Sequence, residues 1–195
     1  MNGFEMCAGL PCLILAGAVV LVPLIWLIAT YNVLVRLRQH CRESWSGIDT
    51  ELRRRYDLIP NLVETVRGYA AHEKDVLERV IAARSQAVAS TGSPASQARD
   101  ENVLVGALRQ LFAVSERYPT LKASENFLAL QAELANTEDR IQAARRFYNA
   151  NVRDLNTRIE VLPSNLVAGL FGFHKEEFFE IADAIVRAAP AVGPF

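Results

Sequence analysis

The chain has 195 residues, 51% of them hydrophobic, with only 8 prolines and 10 glycines. Its 21 basic and 22 acidic residues leave a net charge of −1, which excludes the strongly positive field of a general nucleic-acid binder. Three cysteines, Cys7, Cys12 and Cys41, form an odd set without paired spacing, so neither a disulfide framework nor a zinc site is expected.

After a short tail over residues 1–9, residues 10–29 read LPCLILAGAVVLVPLIWLIA, twenty positions without a charge. That length spans the ~30 Å hydrocarbon core of a bilayer, and a soluble core helix would carry a polar face that this run lacks. Pro11 and Pro23 are compatible with a membrane helix, and Trp26 and Tyr31 fall where interfacial aromatics are expected. The leader MNGFEMCAG has no Lys or Arg, and a cut after Ala29 would put Leu27 at the −3 position. The run is therefore predicted to be an uncleaved single-pass anchor over 10–30. Only Glu5 precedes it, whereas Arg36, Arg38 and Arg42 follow. Positive charge stays inside, so the N-terminus is expected outside and the large domain in the cytoplasm. The three arginines are placed to meet anionic lipid headgroups.

Beyond the span, Leu34, Leu37, Cys41, Trp45, Ile48, Leu52, Tyr56 and Ile59 recur in steps of three and four and define one helix face. Val63, Val66, Ala70, Leu77 and Val80 extend the stripe in the same phase, with Glu73 at the remaining step. Pro60 interrupts this pattern, and periodicity cannot distinguish a kink there from a turn. A continuous helix from Tyr31 to Ala89 would be about 88 Å long, with no other segment able to cover it. The reading adopted is a turn at 57–60, with Asp57 as N-cap and Pro60 in the first turn of a second helix, where its missing N–H costs nothing. Arg53, Arg54 and Arg55 would then close the first helix and complement its dipole.

ASTGSPAS at 89–96 is a loop, and Ser93–Pro94 resembles an N-cap with proline at N1. A third helix follows with Leu104, Leu108, Leu111 and Ser115 inward, closed by Pro119. The fourth and longest carries Phe127, Leu130, Leu134, Thr137, Ile141, Ala144, Tyr148, Val152, Leu155 and Ile159, and ends before Pro163. Unequal helices with short connections favour a bundle over an extended coiled coil. The expected fold is all-α: a single N-terminal transmembrane helix followed by an antiparallel four-helix bundle over 31–160. Alternation of the helices brings the segment after the fourth back toward the membrane. Residues 161–189 are expected to cover the bundle end, the alternative being that Leu170, Phe171, Phe173, Phe178 and Phe179 dip into the membrane interface, with a tail at 190–195. An unbroken helix through residue 60 would contradict this topology and that placement.

Reactive constellations are sparse. His40, His72 and His174 have Leu37, Tyr69 and Phe171 three residues before them, so no Glu-x-x-His di-iron motif is present. HEKDV at 72–76 lacks the second histidine of a metalloprotease helix and reads as a solvated face. No phosphate loop, nucleophile elbow or CxxC occurs, so no catalytic, cofactor-binding or metal-ligating residues are assigned. Asn149, Asn151 and Asn156 stand in a helix where Asn is unfavourable, which points to buried hydrogen bonding between helices.

RRYDLIPNLVETVRGYAAHE, YPTLKASENFLALQAELANTEDRIQAARRFYNANVRDLNTRIE and LPSNLVAGLFGF resemble the LemA protein family of bacteria, over about Val33 to Phe179. The resemblance implies one membrane helix followed by a four-helix bundle, and with it the turn at 57–60. It brings no catalytic residues, and it implies a membrane-bound zinc peptidase as one partner class. Two functions follow. One is a membrane-anchored scaffold or adaptor without catalysis, contacting lipid, other membrane proteins or a second copy of itself. The other is an enzyme or ligand- or metal-binding bundle with an internal polar cavity lined by residues such as Asn149, His72 or Glu138.

Overall fold

The computed structural model describes residues 4–181, with side chains from Gly17 onward. The expectations for residues 1–3 and 182–195, the tail at 190–195 included, lie outside the described residues. Among the described residues six helices appear in order: α1 (Phe4–Tyr69), α2 (Lys74–Ala89), α3 (Pro94–Ser115), α4 (Pro119–Lys122), α5 (Glu125–Glu160) and α6 (Ser164–Leu170). The chain divides into two compact units. Of the described residues, the first takes 4–41 together with Val152–Glu176, and the second takes Arg42–Asn151 and 177–181.

In the second unit, α2, α3 and the adjoining parts of α1 and α5 form an antiparallel four-helix bundle. The direction is set by cross-helix pairs. Arg140 of α5 faces Glu51 of α1, while Glu133, two turns earlier on α5, faces the later Arg54. Gln86 meets Asp100 and Arg79 meets Gln110 across α2 and α3. Ile48, Leu52, Ile59, Leu104, Leu108, Leu111, Phe127 and Leu134 fill the core and are all buried. Their i, i+3, i+4 recurrence is what makes each helix amphipathic and drives the packing. Ser93 caps α3 through its hydroxyl, which accepts from Ser96 N, and Pro94 occupies N1 as its sequence predicts.

The expected turn at 57–60 is not formed, because α1 runs unbroken through Pro60 to Tyr69. A proline inside a helix removes the N–H that would bond the carbonyl four residues back, here Tyr56 O. Arg84 on α2 supplies the missing donor: its Nε donates to Tyr56 O at 2.7 Å. The tertiary structure thus satisfies the orphan carbonyl and the helix persists. The reversal falls at residues 70–73 instead, where Glu73 accepts from Arg117 Nη2 at 2.9 Å and from Tyr118 OH at 3.3 Å. With the turn displaced rather than lost, the antiparallel alternation survives. Arg53–Arg55 therefore do not close a helix.

In the first unit, the start of α1 holds a run long and apolar enough to cross a membrane, and Val19, Val20, Leu21, Val22, Leu24 and Ile25 on it are exposed. Alongside it, Tyr31 lies 4.8 Å from Phe171 and 5.8 Å from Phe173, ring centre to ring centre. Gly172, with φ +66°, ends α6: its N–H bonds Gly169 O, and Phe173 N bonds Ala168 O at 2.9 Å. This left-handed turn, which glycine adopts without strain, swings Phe173 inward under Arg38, whose guanidinium sits 5.0 Å above the ring.

Candidate functional site

The second unit buries charge on its own apolar stripes. On α1, Arg55 stands three residues after Leu52 and four before Ile59. On α3, Glu101 stands three residues before Leu104. On α5, Glu138 stands four after Leu134 and three before Ile141. Each of these neighbours is a core residue, so helical geometry carries the charged side chains inward with them. Arg55 and Glu101 are completely buried and Glu138 nearly so.

Arg55 lies between the two carboxylates, donating from Nη2 to Glu101 Oε2 and from Nη1 to Glu138 Oε2, the latter at 3.0 Å. Tyr56 OH donates to Glu101 Oε1. Gln97 Nε2 approaches Tyr56 OH at 3.1 Å, Ala87 O at 3.2 Å and Glu101 Oε1 at 3.3 Å. Burial pushes the Tyr56 phenol well above its ordinary range, and the charge of Glu101 adds to the shift. The phenol therefore stays protonated and remains a donor. Arg55 Nε is buried without a hydrogen bond. One cation between two carboxylates in a dry core gains little stability over apolar packing, but removing a single partner costs about 3–5 kcal/mol.

Beside the network lies a cavity of about 470 Å³ in which Tyr56 and Gln97 form part of the wall, with Asp49, Arg53, Asp57 and Arg84 around them. Arg53 pairs with Asp49 at 2.9 Å. The lining offers both signs of charge, suited to a small polar or zwitterionic solute, and Tyr56 and Gln97 connect it to the buried ions.

The three residues named as examples of a polar lining stand in different places: Glu138 joins Arg55, His72 lies in the turn at 70–73, and Asn149 holds the C-terminal segment. Asn149 brackets the Phe179 backbone, with Nδ2 donating to its carbonyl and Oδ1 accepting from its N–H, both at 3.0 Å. Tyr148 OH donates to Glu177 O at 2.9 Å. In the first unit Asn156 brackets Glu176 in the same way, at 2.9 Å and 3.0 Å. Of the three asparagines, Asn151 meets the expectation of a bond between helices, to Ser44 Oγ at 3.1 Å. The other two bind extended backbone. Within the second unit Phe179 is buried against Trp45, with 5.2 Å between ring centres, and joins the core there. Among the described residues, no group of three or more His, Cys, Asp or Glu is placed to hold a metal ion.

The sequence signature of the LemA family matches residues 44–193. The chain belongs to the LemA family. It is 27% identical to magnetosome protein MamQ 2 of Paramagnetospirillum magneticum, over 79% of this chain and 66% of that protein. It is 26% identical to magnetosome protein MamQ of Magnetospirillum gryphiswaldense, over 78% and 65% respectively. Protein LemA of Metamycoplasma hominis is also 26% identical, over 78% of this chain and 69% of its own length. The chain thus spans slightly less than two thirds of the MamQ proteins. In this LemA-family chain, Arg55, Tyr56 and Pro60 fall in the first stretch that carries the resemblance, and Glu138, Asn149 and Asn156 in the second.

The basic triplet 53–55 conceals the buried cluster in the sequence, because three adjacent arginines look like one solvated patch. The distinguishing signal is spacing. Arg53 and Arg54 are off the stripe, whereas Arg55 keeps the helical steps of Leu52 and Ile59.

Proposed function

We propose that this LemA-family chain is a membrane-anchored helical adaptor that presents its bundle to other membrane proteins and performs no turnover. The observation that carries the reading is the buried network. Arg55, Glu101, Glu138, Tyr56 and Gln97 bond one another inside the bundle and stiffen it, while the apolar run of α1 supplies an anchor. The MamQ relatives are named for the magnetosome rather than for a reaction, which agrees with it. Arg36, Arg38 and Arg42 favour a cytoplasmic bundle at a bacterial inner membrane, with the N-terminus outside. A membrane zinc peptidase and a second copy of the chain are the partner classes to look for. Proximity labelling from a C-terminal tag in intact cells tests partner and orientation together. A specific set of membrane neighbours labelled from the cytoplasm is expected. Labelling only of abundant bystanders sinks the adaptor reading, and labelling of extracytoplasmic proteins reverses the orientation.

The cavity at Tyr56 and Gln97 favours a second reading, a small-molecule-binding bundle. Native mass spectrometry of gently isolated protein decides for it if a stoichiometric ligand co-purifies and is lost in Arg84→Ala.

A further inference from the structure

The segment 161–173, VLPSNLVAGLFGF, contains no charged residue; it buries Val167, Ala168 and Phe173 yet leaves a second apolar row on its outer side. Leu162 is 76% exposed, Leu166 66% and Leu170 70%, with Val161 and Phe171 also exposed. The polar side chains turn the other way. Ser164 is buried, its hydroxyl donating to Arg158 O at 2.7 Å and to Val161 O at 3.0 Å, and Asn165 Oδ1 is buried too. A water-facing helix would show Ser164 and Asn165 outward and hide the leucines. This helix is arranged for an apolar medium on its outer face.

The same unit supplies the context. Tyr31, which ends the apolar run of α1, meets Phe171 in a tilted contact and Phe173 edge-on. The exposed leucines are therefore held beside the end of the membrane-length run, with Arg38 over Phe173 and Lys175 just past the segment. An apolar outer face edged by cations, level with the end of a spanning helix, is the pattern of a segment lying in the headgroup–acyl boundary.

We infer that α6 and its flanks form a second, interfacial membrane contact, in which Leu162, Leu166 and Leu170 enter the lipid. This rests on the reading of the α1 run as the membrane anchor. The contact pins the first unit at two points, and so restrains rotation of α1 about the bilayer normal.

The test uses the full chain with Cys7→Ser, Cys12→Ser and Cys41→Ala, carrying one new cysteine labelled with an environment-sensitive fluorophore. The label is placed by Leu24→Cys, Leu166→Cys, Leu170→Cys or Arg153→Cys, the last an exposed position on α5. Each protein is reconstituted into phosphatidylcholine–phosphatidylglycerol vesicles with and without shallow nitroxide lipids, and thermal melts confirm the fold. Labels at 166 and 170 are expected to be quenched several-fold more than at 153, with 24 also lipid-exposed to a deep nitroxide. Quenching at 24 with 166 and 170 no different from 153 overturns the interfacial contact while keeping the anchor. Loss of quenching at 24 overturns the anchor, and the inference with it. Blue-shifted but unquenched labels at 166 and 170 mean that protein, such as a second copy, covers the face, and this also overturns it.

Discussion

The two units break the ordinary rule of burial in opposite directions. In the second, Arg55, Glu101 and Glu138 are withdrawn from water, and in the first Leu162, Leu166 and Leu170 are left on the surface. Helical spacing accounts for the buried charges and for Leu166 and Leu170 on α6, while Leu162 stands in the turn before it. A charged residue on the apolar stripe is carried inward, and an apolar residue off it is carried outward. What differs is the compensation. The buried charges find one another within the chain, while the exposed leucines find nothing among the described residues to cover them.

The largest effect is expected from breaking the buried side of this contrast. Arg55→Met leaves two carboxylates unpaired in the core and should destabilise the bundle by about 3–5 kcal/mol, read by thermal or denaturant unfolding in detergent. Adding Glu101→Gln and Glu138→Gln should recover a large part of that loss, because the charges needing a partner are gone. A cost for Arg55→Met below about 1 kcal/mol would show that water reaches the network and that the charge is not functionally buried.

The next effect concerns how α1 survives Pro60. Arg84→Ala strands Tyr56 O and should cost about 1–3 kcal/mol. In a Pro60→Ala background the same change should cost much less, since the restored backbone N–H at position 60 takes the carbonyl. Additive effects in this double-mutant cycle would separate Arg84 from the proline and undo the explanation.

The cycle also marks where sequence reading ends. The helix faces, the Ser93–Pro94 start of α3, the long α5 and the apolar run were legible because each depends on local spacing or capping. The course of α1 was not. Whether Pro60 ends a helix depends on Arg84, twenty-four positions away and brought close only by folding. The reversal at 70–73 has neither Pro nor Gly within it, so local turn chemistry gave no sign of it. Helix length misleads for a related reason: it shows that a break is needed, and the strongest breaker in the run is not where the break falls. The Asn149 and Asn156 clasps were half legible. Unfavourable residues in a helix signalled a polar task, but only the structure shows that they bind the backbone of Phe179 and Glu176.

A smaller effect is expected with pH. Glu177 has its carboxyl held below the ordinary range by a hydrogen bond from Ser93 and then by Ala95 N–H at the start of α3. A depressed folded value means that the unfolded chain binds the proton first as pH falls. The contribution is therefore complete above about pH 4.5 and is lost as pH drops through the folded value. Protection of the 177–181 amides, taken relative to the intrinsic exchange rate at each pH, should fall along that acid limb, and Glu177→Gln should flatten the dependence. An unchanged profile in the variant would assign the acid response to other carboxylates.

The smallest effect is the one that most sharpens the contrast between the units. Leu166→Gln alters a side chain with no core contacts to lose, so unfolding in detergent should change by no more than about 0.5 kcal/mol. A core leucine such as Leu108 truncated to alanine should cost about 2–5 kcal/mol under the same conditions. Near-equal penalties would mean that Leu166 is buried against another protein surface even in detergent, because only removal from water makes a methyl group expensive to delete. A negligible penalty leaves the chain without a folding reason for leucine at this position. The exposed row is then explained by what surrounds the molecule rather than by what holds it together.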